Sequence, residues 1–126
     1  MPKIKQDIDH NAMASGPARR GRQVKGRLWV EQDGETYLSW GRVVLLERIA
    51  EKGSVSAAAK SMGMSFSHAW KLVESMNRLS EQPLVVKQAG GKGGGGAWLS
   101  PEGRRAVSEF WALVKRFQGW VENQRP

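Results

Sequence analysis

The sequence predicts a mostly α-helical domain with a small β component: a winged helix-turn-helix with an N-terminal β-hairpin and a long C-terminal helix. Three observations support this prediction. A short alanine-rich helix, a glycine-containing turn and a longer amphipathic helix follow each other over residues 54–79. Two short apolar strands flank a glycine-rich stretch over residues 84–99. A strong helix start, Ser100-Pro101, then opens a last helix over residues 101–121.

Composition limits the classes of function. The chain has 126 residues, enough for one domain, and a formal net charge of +8 that favours a polyanionic partner. It has no cysteine, which excludes disulfides and thiolate chemistry, and its two histidines argue against a protein-built metal site. No apolar run approaches the ~20 residues that cross a bilayer. We therefore expect a cytoplasmic protein with no membrane partner and no cofactor.

Residues 1–26 are predicted to form a disordered basic N-terminal tail, which leaves residues 27–126 as the domain. The tail has few large apolar side chains, several glycines and prolines, and the basic cluster RRGRQVK at residues 19–25. It is interpreted either as a solubilising leader or as an arm that lies along a DNA backbone.

The domain is predicted to begin with a β-hairpin over residues 27–38. Two short apolar runs flank Asp33-Gly34, a pair that favours a type I′ turn because both central residues need positive φ. The pairing that such a turn predicts is Val30 with Tyr37 and Trp29 with Leu38. An isolated hairpin is marginally stable in water, so we expect it to pack on the helices or on a second subunit.

Three helices are predicted after the hairpin. The first covers residues 41–52 and ends at Gly53, whose position suits the left-handed conformation of a helix C-cap. Ser54 caps the second helix, which runs to Met62, and Ser65 caps the third, over residues 66–79. At ~100° per residue, the third helix gathers its apolar side chains on one arc. These are Phe66, Ala69, Trp70, Leu72, Val73, Met76 and Leu79.

The opposite side of the third helix carries the candidate DNA-contacting residues. A helix-turn-helix leaves this side open to enter a major groove, where lysine can reach guanine acceptors and hydroxyls can reach bases or phosphates. Together with the cap of the second helix, the candidates are Ser54, Ser65, Ser67, His68, Lys71, Ser75 and Arg78. The alternative for this side is an ordinary solvated helix face.

The glycine-rich stretch before the last strand is predicted to be the tip of the wing. Its glycines allow close backbone approach to a groove or phosphate, and Lys92 adds a positive charge for DNA binding. A nucleotide-binding phosphate loop does not fit, because its lysine must precede Ser or Thr at a helix start, whereas Gly93 follows Lys92. The alternative is a loop that contacts nothing.

The last helix is predicted to be a dimerisation helix. Its apolar positions recur at spacings of three and four, and a second apolar row runs beside them. A helix of about twenty residues spans ~30 Å, and its stripe is wider than docking on one small body requires. We therefore expect a coiled-coil-like contact with a second copy. Its expected residues are Phe110, Leu113, Val114, Phe117 and Trp120. The alternative is a helix in the core of its own chain.

Two motifs in this order resemble a known family. They are GSVSAAAKSMGMSFSHAWKLVESMN at residues 53–77 and GGKGGGGAWL at residues 90–99, and they are similar to the N-terminal DNA-binding domain of ModE regulators, whose winged helix is related to that of LysR-type regulators. The resemblance implies a homodimer on a palindromic operator, with residues 65–78 in the major groove. Family members carry molybdate-binding domains after the winged helix. This chain ends at Pro126, so a stand-alone domain without direct molybdate binding is expected.

These observations predict a sequence-specific regulator of transcription that binds double-stranded DNA as a homodimer. The alternative is a non-specific architectural or protein-interaction module built on the same winged helix. An enzyme is not predicted, because the sequence offers no suitably framed pair of carboxylates, no cysteine, and no nucleophile with a partner base.

Overall fold

The computed structural model describes residues 13–88 and 95–126. Within these residues the strands are β1 (Ala14–Ser15), β2 (Lys25–Gly26), β3 (Val30–Gln32), β4 (Glu35–Leu38), β5 (Val85–Lys87) and β6 (Ala97–Leu99). The helices are α1 (Trp40–Lys52), α2 (Val55–Ser61), α3 (Phe66–Leu79) and α4 (Pro101–Glu122). The strands form three antiparallel pairs, β1–β2, β3–β4 and β5–β6. This order of elements confirms the predicted winged helix-turn-helix.

The hydrophobic core lies where α1, α3 and α4 meet. α1 contributes four completely buried side chains, Val43, Leu45, Leu46 and Ile49. α3 contributes Val73 and Met76, and α4 contributes Phe110, all equally buried. Burying one such side chain stabilises a fold by about 1.5–3 kcal/mol, so this cluster holds the three helices together.

The helix starts follow the predicted caps. The hydroxyls of Ser54, Ser65 and Ser100 each accept a hydrogen bond from the backbone N–H three residues on, and such a cap contributes about 1 kcal/mol. Ser39 does the same for α1, which therefore begins one residue before the predicted start. Gly53 has φ 76°, and this left-handed conformation ends α1 as predicted.

The β3–β4 hairpin has the predicted turn and a different register. Asp33 and Gly34 have φ of 52° and 82°, as a type I′ turn requires. Glu31 pairs with Thr36, as the turn requires, but one position further from the turn Val30 pairs with Leu38 and not with Tyr37. The predicted pairing is therefore wrong. The reason is a bulge that adds one residue, Tyr37, to β4.

The N-terminal segment differs from its prediction. β1 and β2 pair with each other, and Met13 and Ala14 are 97% buried. The carbonyl of Met13 accepts a hydrogen bond from Gln118 of α4 at 2.8 Å, and Gly26 lies against the ring of Phe117. The expected disorder is therefore wrong for residues 13–26, because α4 supplies an apolar surface for them. Residues 1–12 lie outside the described part of the chain.

α4 completes the core of its own chain. Phe110 and Val114 are 0% and 3% exposed, so these two residues offer no area to a second copy, and their predicted place in a dimer contact is wrong. Trp111 donates a hydrogen bond to the buried carboxylate of Glu47 on α1 at 3.0 Å.

Among the described helices none has an apolar stretch sufficient to cross a membrane.

Candidate nucleic-acid interface

The polar side of α3 divides into two halves, and the N-terminal half is open. Ser65, Ser67, His68 and Lys71 are all exposed. Ser65 caps the helix by accepting from the N–H of His68 at 3.1 Å. Within residues 13–88 and 95–126, no side-chain hydrogen bond or ion pair occupies Ser67, His68 or Lys71. The structure thus brings these four predicted residues together on one accessible surface, which we call the α3 reading surface.

The C-terminal half of the same side is held by partners on other elements. The hydroxyl of Ser75 accepts a hydrogen bond from Arg42 of α1 at 3.0 Å. Arg78 donates two hydrogen bonds to Glu35 of β4, at 2.8 and 3.2 Å. This ion pair lowers the pKa of Glu35 and raises that of Arg78, in each case mainly through the hydrogen bond between them. Ser75 and Arg78 therefore connect α3 to α1 and to the β3–β4 hairpin.

Arg42 of α1 is a basic residue beside the C-terminal half of the polar side of α3, and the sequence analysis did not predict it there. It is partly buried beside Ser75, and the loss of solvent around its guanidinium lowers its pKa. It lies 33 positions from Ser75 in the sequence, and helical periodicity relates only residues within one helix. The polar side of α3 alone therefore gave no signal for it.

Phe66 also differs from its predicted place. It was expected on the core-facing arc of α3, yet it is 49% exposed. It is the first residue of α3, and the first buried side chain of that helix is Ala69, three residues later. Its ring stacks on Trp70 one turn later, with centroids 6.4 Å apart and planes 3° from parallel. The ammonium of Lys87 lies 4.4 Å from the centre of the Trp70 ring.

The wing is fixed to both helices of the helix-turn-helix. The side chain of Asn77 on α3 accepts hydrogen bonds from the N–H groups of Leu84 and Val85 and donates to the carbonyl of Val85. The N–H of Ala97 donates to the carbonyl of Gly53, at the turn before α2, at 2.9 Å. Lys92 at the tip lies outside the described residues.

A cleft of about 470 Å³ separates the start of α2 from the wing. Phe66 lines it together with two exposed lysines, Lys60 and Lys87. Ser54 lines the same cleft, but its hydroxyl already accepts from the N–H of Ala57 at 3.0 Å as the cap of α2. The cleft therefore presents cations and an aromatic ring, a combination suited to a nucleic acid. Within the described ranges, no group of three acidic or histidine side chains could hold a metal ion.

Comparison with known proteins agrees with this geometry. A family model described as bacterial regulatory helix-turn-helix protein, lysR family, matches residues 40–104. The chain is 42% identical over 96 residues to the molybdenum transport protein ModE of Azotobacter vinelandii, covering 76% of this chain and 36% of that protein. It is 48% identical over 74 residues to the DNA-binding transcriptional dual regulator ModE of Escherichia coli K12, covering 59% and 28%.

A third relative is the molybdenum-pterin-binding protein MopB of Rhodobacter capsulatus, 44% identical over 72 residues, which are 57% of this chain and 27% of that protein. The chain thus spans about a third of the length of these relatives, or less. The similarity confirms the resemblance inferred from residues 53–77 and 90–99. The chain therefore belongs to the lysR family of bacterial regulatory helix-turn-helix proteins, and its domain is similar to part of the ModE proteins.

Proposed function

We propose that this chain regulates transcription by binding specific sequences in double-stranded DNA, with α3 in the major groove. The observation that carries the proposal is the α3 reading surface, where Ser67, His68 and Lys71 are exposed and have no partner within the described residues. Lysine donates well to the acceptors of guanine, and serine can serve bases or phosphates. The net charge of +8 adds the attraction that any duplex binder needs.

The relatives support the same role. The Escherichia coli protein is named as a DNA-binding transcriptional dual regulator, and the family model that matches residues 40–104 includes the helix-turn-helix of this chain. The non-enzymatic role that the sequence predicts is consistent with such relatives. A chromosomal target also implies a cytoplasmic location in a bacterium.

We further propose that the protein binds a palindromic operator as a homodimer through one side of α4. Trp120 is 61% exposed, and Leu113 lies one heptad earlier on the same side of the helix. Leu113 lines a groove of about 540 Å³ between α4 and the β3–β4 hairpin, together with Val30 and Tyr37. A two-fold dimer would set two copies of α3 roughly one DNA turn, ~34 Å, apart. Phe117 has less surface available for a dimer contact, because Gly26 lies against its ring.

Selection of bound sequences from a random pool of duplexes tests the DNA-binding role. We expect one enriched palindrome, bound with nanomolar affinity that falls steeply as salt is added. The control is a duplex of the same length and base composition in scrambled order. Equal affinity for both duplexes would contradict sequence-specific regulation and would favour the non-specific module, for which the exposed rings of Trp29, Trp98 and Trp120 are the supporting observation.

Sedimentation equilibrium tests the dimer. We expect the wild-type protein to be dimeric at micromolar concentration and Trp120→Ala to shift it towards monomer. Trp98→Ala is the matched control, because Trp98 is similarly exposed but lies on β6 of the wing. A wild-type monomer, or equal effects of the two substitutions, would refute the proposed contact.

A further inference from the structure

We propose that Phe66 is a specificity-determining residue that recognises the 5-methyl group of a pyrimidine, in practice thymine, in the major groove. This inference rests on the proposed function and adds the ligand group that the first turn of α3 recognises. The feature that motivates it is an aromatic side chain, 49% exposed, on a surface that is otherwise polar and basic.

The ring of Phe66 has an aromatic neighbour before any ligand arrives. It stacks on Trp70, and Trp70 is itself half-buried and covered by the ammonium of Lys87 at 4.4 Å. A ring restricted by such a neighbour loses less freedom when it meets a partner than an unsupported ring does, which favours a specific contact. Trp70 and Lys87 are therefore positioning residues for Phe66.

The surroundings of Phe66 indicate which partner it meets. Its neighbours on α3 are the exposed polar residues Ser65, Ser67 and His68, and the cleft that it lines carries Lys60 and Lys87. Such charges attract the phosphates of a duplex. Phe66 itself can neither donate nor accept a hydrogen bond, so it cannot read the polar edges of bases. The apolar group that a major groove presents is the methyl of thymine, which phenylalanine contacts favourably.

The test replaces thymine by deoxyuridine, one position at a time, in the duplex enriched by the full-length chain. This exchange removes one methyl group and leaves every hydrogen-bonding atom in place. For the wild-type protein we expect the dissociation constant to rise about fourfold at one position in each half-site, the usual effect of leaving a methyl-sized group unburied. For Phe66→Ala we expect weaker binding overall and no response at that position. Phe66→Leu should keep part of the response.

Trp29→Ala is the control, because it removes an equally exposed aromatic ring just before β3, outside both α3 and the proposed dimer contact, and it should keep the full response to deoxyuridine. Thermal unfolding of each variant establishes that it is folded. An enriched duplex in which no thymine position responds, or one to which Phe66→Ala responds as the wild type does, would overturn the inference and leave the proposed function intact. A duplex of G·C pairs alone would overturn it as well. A pool with no enriched sequence would refute the proposed function, and this inference with it.

Discussion

The two long amphipathic helices use their surfaces in opposite ways. α3 packs its apolar side on the core and leaves the N-terminal half of its polar side uncovered. α4 has apolar side chains on more than one side, and its own chain covers most of them: the core covers Phe110 and Val114, and Gly26 of β2 lies against Phe117. Periodicity in the sequence therefore identifies the apolar side of a helix but not the segment that covers it.

The difference also separates residues that stabilise the protein from residues that contact a ligand. A substitution on α4 that reaches the core should lower the free energy of unfolding, whereas one on the α3 reading surface should leave stability nearly unchanged and alter what the protein binds. Substitutions at matched positions on the two helices distinguish these two kinds of residue.

The first test compares two phenylalanines, one on each helix. Phe110→Ala should lower the free energy of unfolding by about 3–5 kcal/mol, because the Phe110 side chain is completely buried and its removal leaves a cavity in the core. Phe66→Ala should lower it by about 1 kcal/mol or less, because half of that ring is already in solvent. Urea denaturation measures both. Equal losses would contradict the contrast between the helices.

Two glycines of α4 give the second test. A Cβ at Gly103 would lie 2.2 Å from the backbone oxygen of Leu84, whereas a Cβ at Gly119 would meet nothing within 4 Å. Gly103→Ala should therefore cost about 1–3 kcal/mol through overpacking. Gly119→Ala should stabilise the protein by up to about 1 kcal/mol, because alanine restricts the unfolded chain and favours a helix. If both variants were stabilised, α4 would not pack on Leu84 as described.

Two exposed lysines, one on each helix, test the same contrast in DNA binding. Lys71→Ala on α3 should reduce the preference for the enriched duplex over random DNA by about 1–3 kcal/mol, because a base contact is lost. Lys115→Ala removes the same charge from α4, where the side chain is also exposed, and should leave that preference unchanged. Titration of both duplexes at fixed salt measures the ratio. An unchanged ratio in Lys71→Ala would mean that Lys71 does not read bases.

The smallest expected effect concerns the ion pair between Glu35 and Arg78, which is open to solvent. The pKa of Glu35 in the folded protein lies below its ordinary value of 4.5, so the pair stabilises the fold above that pH. The contribution is lost as pH falls through the folded pKa. The melting temperature of Glu35→Gln should therefore lie slightly below that of the wild type at pH 7 and match it in acid.

Glu51→Gln on α1 is the control for this experiment, because Glu51 is exposed and forms no ion pair with the described residues. Added salt should reduce the difference between Glu35→Gln and the wild type in the same way as acid does. A difference that persisted in acid would mean that Glu35 acts through packing and not through its charge.

Local chemistry made much of the fold predictable. The serine caps, the turn at Asp33-Gly34 and the bounds of α3 depend on neighbours within a few positions, so the sequence alone predicts them. The features it missed join distant positions. Met13 meets its partner on α4 105 positions away, and the ion pair of Glu35 and Arg78 spans 43. The bulge at Tyr37 changes a register that a turn by itself would set.

The candidate site likewise has some features that the sequence predicts and others that depend on distant residues. Periodicity identified the exposed residues Ser67, His68 and Lys71, because all that it requires is the angle between successive side chains. It could not show that Ser75 and Arg78 already have partners on α1 and β4. Nor could it show that Phe66 lies outside the core, because that depends on where the neighbouring elements end.

The side chain of Asn77 has a mechanical consequence. Its three hydrogen bonds tie α3 to the base of the wing at Leu84 and Val85, so we expect these two parts to approach a double helix together. A duplex whose curvature does not match the surface formed by α3 and the wing must then bend to fit it. Stiff or narrow-grooved stretches between the contacted bases should change affinity even where no side chain reaches them.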